Sequence, residues 1–381
     1  MIKISLLFFI VFLGFVSCKP KEEKPDEVDK SAYLEDKNPV EVMVLQPTTF
    51  TRQLVSNGKL AALRKSELKF RISEEIASIK VNNRQRVKQG SILAKLNKTE
   101  FQQKVQQVHS KTIISGLNFP EGPVFDHSGN LWFVEIKGGN LARWNGEKLD
   151  RFDVGGTPNG AMVDRQENIW FCDSERGEIR TFNPLQNSFN TVCNSTVDGN
   201  RLIRPNDLIF DDQGNLLFSD HADGRLEPIA SICVLSAGET QAKVISKEKY
   251  FTNGLALTGD GKTLVFSETY RQQLWIASWD SLKLELHNER LFAKTGGAPQ
   301  GPDGIAFDED GNLFVTVFND SAVNIYSHEG ALLNSIQTRG IRPTSCAFDP
   351  SGKLGLVVTE AEHGEILSFP DFGKGLPIFY G

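Results

Sequence analysis

Little in this chain suits it to hold a soft metal or to act as a serine hydrolase. Its five cysteines and six histidines form no Cys-x-x-C pair and no Cys/His spacing, which excludes a zinc ribbon or finger. No Gly-x-Ser-x-Gly elbow occurs. Gly261-Lys262-Thr263 lacks the upstream glycine that a phosphate loop needs, because Ala256 stands there. Asp308-Glu309-Asp310-Gly311 has Asn319 where a helix-loop-helix calcium site has its bidentate glutamate. Positive charge is short as well: 42 Lys and Arg against 48 Asp and Glu leave a net charge of −6, which argues against a nucleic-acid partner. After Val16 no apolar run approaches the ~18 residues that span a bilayer.

What is present falls into four segments. Residues 1–17 join Lys3 to an apolar run from Ile4 to Val16 and then Ser17, the pattern of an export signal. A cysteine directly behind such a run resembles a bacterial lipobox. That implies a lipid on Cys18 and a mature chain anchored to a membrane of the cell envelope, in the periplasm or at the surface. Residues 18–39 are charged and Pro-containing, a solvated tether. Residues 40–107 alternate apolar and polar positions. In them Ile76-Ala77-Ser78-Ile79-Lys80-Val81 and Val87-Lys88-Gln89-Gly90-Ser91-Ile92-Leu93-Ala94 resemble the lipoyl-like half-motif of efflux-pump periplasmic adaptor (membrane fusion) subunits. The coiled-coil hairpin and second half-motif of that family do not follow, so a docking module or fusion relic is favoured over a working pump component.

Residues 108–381 are a repeat. Phe119 to Glu135 reads as a short apolar run, an Asp-x-x-Gly-Asn type turn and a second run rich in aromatic and branched residues, which predicts a hairpin. Related stretches begin at Thr157, Arg204, Phe251, Gly301 and Arg342. The residue before each first run is Glu121, Asn159, Asn206, Asn253, Asp303 and Thr344, at spacings of 38, 47, 47, 50 and 41. That is the length of a four-stranded blade, so the expected fold is an all-β, six-bladed β-propeller. Lys111 to Gly116 or Pro377 to Tyr380 could supply the strand that closes it. Cys172, Cys193, Cys233 and Cys346 read as small buried residues in preference to a disulfide such as Cys172 to Cys193.

Radial blades would bring those six polar residues together on the central channel. Two carboxylates, three amides and a hydroxyl are hard oxygen donors suited to Ca2+ or Mg2+. Asn and Asp beside Gly are ordinary turn formers, but that does not explain Pro-Glu-Gly in the same place. Farther out, Glu135, Asp173, Asp220, Glu268 and Glu360 end the second strands, while the fifth copy has Val317. They either orient the inner ring or cap strands and hold turn amides. His221 alone among the histidines falls near the same face, where a lone His is more readily a surface group than a catalyst.

FPEGPVF, RPNDLIFDDQGNLLFSD, FTNGLALTGDGKTLVFSETY and GPDGIAFDEDGNLFV resemble the senescence marker protein/gluconolactonase/luciferin-regenerating enzyme family. The resemblance covers about residues 110–381. It implies an axial metal, commonly Ca2+ with Mg2+, Mn2+ or Zn2+ as substitutes, on Glu121, Asn206, Asn253 and Asp303. It leaves Asn159 and Thr344 as pocket-lining residues, with Asp220, His221 and Glu268 around them. It implies hydrolysis of a lactone or small ester with Arg204 contacting the substrate; on chemical grounds Asp303 could then act as general base while Arg204 steadies the oxyanion. A non-catalytic binding propeller and a phosphotriester hydrolase are the alternatives. His221-Ala222-Asp223-Gly224 replaces the Pro-Pro-Tyr-Gly common in the gluconolactonase branch, which argues against a sugar lactone.

Overall fold

The computed structural model describes residues 76–82, 85–88, 93–96 and 110–381. The signal segment, Cys18, the tether and most of residues 40–107 lie outside them. Within the half-motif, Ile76–Ile79 pairs antiparallel with Ala94–Leu96 as a two-stranded sheet.

From Lys111 onward the chain forms six antiparallel sheets, the expected all-β six-bladed propeller. Their innermost strands are Pro120–Phe125, Pro158–Val163, Pro205–Phe210, Thr252–Leu257, Pro302–Phe307 and Pro343–Phe348. Five of these open on proline, which is tolerated at a first strand position because the missing N–H breaks no ladder there. In blade three Ser195–Thr196 adds a parallel fifth strand on Gln241–Lys249.

The repeated turn explains the repeated aspartate. Asp126 Oδ1 accepts the Asn130 N–H and its Oδ2 accepts the Trp132 indole N–H. Asp164 does the same for Asn168 and Trp170. A short carboxylate thus satisfies the amides of the turn while holding the first aromatic of the next strand. The core lies between blades, in clusters that run from one sheet to the next, such as Val124, Trp132 and Leu141 with Phe171, Ile179 and Phe218. The four cysteines of the propeller are buried and free, as expected of small core residues.

Closure falls to the N-terminal candidate. Lys111–Ser115 pairs with Glu365–Phe369 as the outermost strand of blade six. Ile114 packs there with Phe133, Val357 and Ile366. The C-terminal segment instead crosses the end of the channel where the innermost strands finish. Leu376 N–H donates to Phe307 O at 3.1 Å, Arg165 N–H donates to Gly381 O at 3.4 Å, and Tyr380 lies 4.3 Å from the His127 ring.

Truncating Ile114, 8 % exposed, should cost about 2–4 kcal/mol as a large-to-small core change. The denaturant midpoint of Ile114→Ala should fall accordingly. An unchanged midpoint would mean that the seam does not carry closure.

Candidate metal and active site

Each innermost strand breaks register just after it starts, between Glu121 and Val124, Pro158 and Ala161, Pro205 and Leu208, Thr252 and Leu255, Pro302 and Ile305, and Pro343 and Ser345. A bulge re-aims the side chain at the break. Here it acts on the ring position. Glu121, Asn159, Asn206, Asn253 and Asp303 all line one cavity of about 200 Å³. The sixth residue does not join them: Thr344 is buried in the wall, its hydroxyl donating to Pro120 O at 2.8 Å across the blade six to blade one seam. A second cavity of about 450 Å³ lies farther along the same strands, against the C-terminal segment. It is larger but mainly apolar, so the smaller one, which gathers the ring residues, is the candidate site.

Close packing explains the glycine that follows four of the ring positions. A Cβ on Gly122 would meet Ala161 N at 2.7 Å, and one on Gly160 would meet Asp207 Oδ1 at 2.4 Å. Gly122 also has φ +53°, so a side chain there would be strained as well as crowded.

The outer carboxylates hold the loops that deliver the ring. Glu135 accepts the Asn118 N–H, Asp173 the Thr157 N–H, Glu268 the Tyr250 N–H and Glu360 the Arg342 N–H. Asp220 accepts the N–H of both Ile203 and Arg204 at 2.8 Å. All of these donors sit two or three residues before the ring position. The two readings of the outer ring therefore merge, since holding the amides fixes where the inner ring starts. None of the five lines the cavity.

Two assignments move. Arg204 is exposed and absent from the cavity wall. The guanidinium in the wall is that of Arg225, held by Asp223 at 2.8 Å and lying 5.7 Å from the Phe251 ring and 5.4 Å from that of Tyr270. His221 is buried, not superficial. Its Nδ1 accepts the Asp223 N–H at 2.9 Å and its ring stacks on Phe251 at 4.0 Å. Burial lowers its pKa to about 4, so it supports the wall as a neutral ring. Phe119 and Phe251, both lining residues, hold φ of +62° and +52°, a conformation that bulky residues adopt only where the surroundings impose it.

The electrostatics mark the axis. Glu121 and Asp303 are 7 % and 8 % exposed. Burial drives the pKa of each far above the carboxylate range; Glu121 is pushed further by Asp303 and Asp207, and Asp303 by Asp207. Asp207 is the residue that sequence reasoning missed. It borders the lower cavity, accepts the Leu255 N–H at 3.0 Å, and burial raises it to about 6. One signal was available: the position after the ring residue is Gly or Ser in the other five copies.

These donors fit a divalent ion. Two buried carboxylates face each other's field with no cation among the lining residues except Arg225. Among the described residues, no protein group hydrogen-bonds the Asn206 side-chain amide, although Asn206 is 7 % exposed. Asn253 Nδ2 has Thr269 Oγ1 at 3.2 Å, which leaves its amide oxygen available to the cavity.

A family model for the SMP-30/gluconolactonase/LRE-like region matches residues 119–362. Diisopropyl-fluorophosphatase of Loligo vulgaris is 27 % identical over 281 residues, covering 65 % of this chain and 88 % of that one. Lactonase drp35 of Staphylococcus aureus is 22 % identical over 234 residues, covering 58 % and 70 %. Among solved structures, the calcium-binding protein regucalcin of Agrobacterium tumefaciens superposes with a TM-score of 0.62 at 17 % identity, covering 72 % and 96 %. That last likeness shows the fold.

In metal-free protein Asp207 binds its proton more tightly folded, with a pKa of about 6, than unfolded, at ~3.9. Its contribution is fully present below the unfolded value and is lost as pH rises through 6. Asp207→Asn should therefore stabilise chelator-treated protein at pH ~7.5 by roughly 3 kcal/mol and flatten the loss between pH ~4 and ~7. Melting curves over that range check this, and identical slopes in both proteins would refute it.

Proposed function

The chain belongs to the SMP-30/gluconolactonase/LRE-like family, and from that premise we propose that it is a Ca2+-dependent hydrolase of a lactone or related small ester. The observation that carries the reading is the convergence of Glu121, Asn206, Asn253 and Asp303 on one cavity, where two buried carboxylates have Arg225 as the sole cation among the lining residues. These four residues would hold the ion, with Mg2+, Mn2+ or Zn2+ as substitutes. The names of the relatives support the chemistry, two being a lactonase and a fluorophosphatase and the third calcium-binding. Bound there, the ion would polarise an ester carbonyl and acidify a water.

The chain's own groups supply the rest. Asp303 would accept the proton of the attacking water at a carboxylate oxygen not spent on the ion. Arg225 takes the place expected of Arg204, presenting a cation to negative charge developing at the cavity mouth. Phe119, Ile136, Phe251, Tyr270 and Phe318 form the apolar part of the remaining wall, beside Asn159, Thr269 and Gln300. The aromatic part of that wall would take an apolar substituent, while it is the changed segment at His221–Gly224 that speaks against a sugar lactone. Phosphotriester hydrolysis is the second reading, favoured by the similarity to diisopropyl-fluorophosphatase. With it goes the proposal that a lipid on Cys18 tethers the enzyme in the cell envelope.

Purified protein should hydrolyse alkyl γ-lactones in Ca2+ and lose that activity in chelator. Glu121→Gln and Asp303→Asn should each lower kcat/KM by about 10²-fold or more. Arg225→Ala should lower it about tenfold while Arg204→Ala leaves it unchanged. Turnover of diisopropyl fluorophosphate alone would select the second reading. No turnover of any lactone, ester or phosphotriester with any of the four metals would leave a non-catalytic, ion-binding propeller.

A further inference from the structure

A second cluster of metal-ligating groups lies away from the axis, at the seam that closes the ring. Glu360, His363 and Glu365 come from the hairpin between the second and third strands of blade six. One ligand atom from each lies within 4.8 Å of the others. Glu360 and Glu365 stand directly opposite each other in the antiparallel register, with side chains 0 % and 8 % exposed. Like charges in that arrangement repel, and burial strengthens the repulsion.

Two other blades set a cation on the outer carboxylate. Glu135 in blade one is met by Arg151, and Asp173 in blade two by Arg180. Blade two opposes two carboxylates as well, Asp173 and Glu178, but brings Arg180 within reach of both; blade six has Leu367 at the arginine's position. Its nearest guanidinium, Arg339, is 61 % exposed and reaches only to 4.0 Å from Glu365 Oε2. Arg339 spends its hydrogen bond on the Thr112 hydroxyl, which in turn donates to Glu365 Oε2 at 2.9 Å.

The second observation is Glu365 Oε1. It is fully buried and has no hydrogen-bond partner among the described residues, a costly state for a carboxylate oxygen. Glu360 already accepts the N–H groups of Arg342, Glu362 and His363, so its charge is held in place and cannot swing away. His363 Nδ1 lies 3.3 Å from Glu360 Oε2, and the imidazole, half exposed, leaves the cluster open to ions from solvent.

The geometry points to a second divalent-cation site formed by Glu360, His363 and Glu365, which latches the closing strand to blade six. One imidazole nitrogen and two carboxylate oxygens suit Zn2+ or Mn2+ better than the all-oxygen preference of Ca2+. An ion there would neutralise the opposed carboxylates and occupy Glu365 Oε1. Because Thr112 belongs to the closing strand and bonds the same carboxylate, ion binding and ring closure are linked.

The test uses full-length protein stripped with chelator and reloaded with Zn2+ or Mn2+ alone. Metal content measured after dialysis should be one ion per chain lower in His363→Ala and in Glu365→Gln than in wild type, with lactone turnover unchanged. Melting gives an independent readout. Without metal, Glu365→Gln should melt above wild type, because the like-charge contact is gone; with saturating Zn2+ the order should reverse. The site is refuted if both variants bind as many ions as wild type, or if Glu365→Gln melts higher under both conditions. Loss of the axial ion in Asp303→Asn leaves these differences in place, so this site and the proposed active site fail separately.

Discussion

Closure of the ring is the condition on which the axis depends. Six innermost strands share a channel only if the first and last blades meet, and one outer strand, Lys111–Ser115, makes them meet. The entropic cost of joining ends so distant in sequence grows only logarithmically with the loop, so a few well-packed residues suffice. Ile114 supplies apolar burial at the seam. At the channel itself, Thr344 reaches across the same seam to Pro120 O, the residue immediately before Glu121. The position of one axial carboxylate is therefore set by closure through a single hydrogen bond.

Closure also explains why charges that repel can be held together. In an unfolded chain Glu121, Asp207 and Asp303 are far apart and hydrated. In the folded ring their backbones are fixed by bulges and by the carboxylates of the outer ring, and burial raises all three. The fold carries that destabilisation as a fixed feature of the site, and anything bearing opposite charge that binds there relieves it. Two aromatic residues in left-handed backbone conformations beside the ring belong to the same pattern of strain retained near the chemistry.

The blade repeat was legible because each hairpin carries its own turn chemistry, an aspartate that holds local amides and an indole. Ring positions were legible for the same reason: they sit at a constant offset from that turn. The outer carboxylates were countable but their role was not, because the amides they hold precede the ring by two or three residues and only the hairpin's return brings them close. Arg225 could not be distinguished from Arg204 by offset. Its place depends on a non-repeating excursion after Asp220, where Ala222 and Asp223 take positive φ. Thr344 shared the ring offset but not its fate, since its short hydroxyl found a backbone acceptor in the wall. Asp207 was hidden by belonging to an Asn-Asp pair in which the first residue drew attention.

The informative positions are those where one blade departs from the others. Backbone symmetry gives every blade a bulge aimed at the axis, so symmetry alone would make a ring of equivalent groups. Glutamate at one ring position, aspartate at another and threonine at a third turn that ring into a directional donor set. Asp207 stands where its counterparts are glycine or serine, and adds negative charge below the ring. The walls follow a different logic. Phe119 and Phe251 occupy the second residue before a ring position, and Arg225, Tyr270 and Phe318 lie on the connections that return from second strands. Connections tolerate change that the inner strands, packed glycine against backbone, do not. On the proposed function, the residues that would hold the ion and those that would select the substrate thus lie on elements with different freedom to vary, and a change of substrate would require no change in the ring.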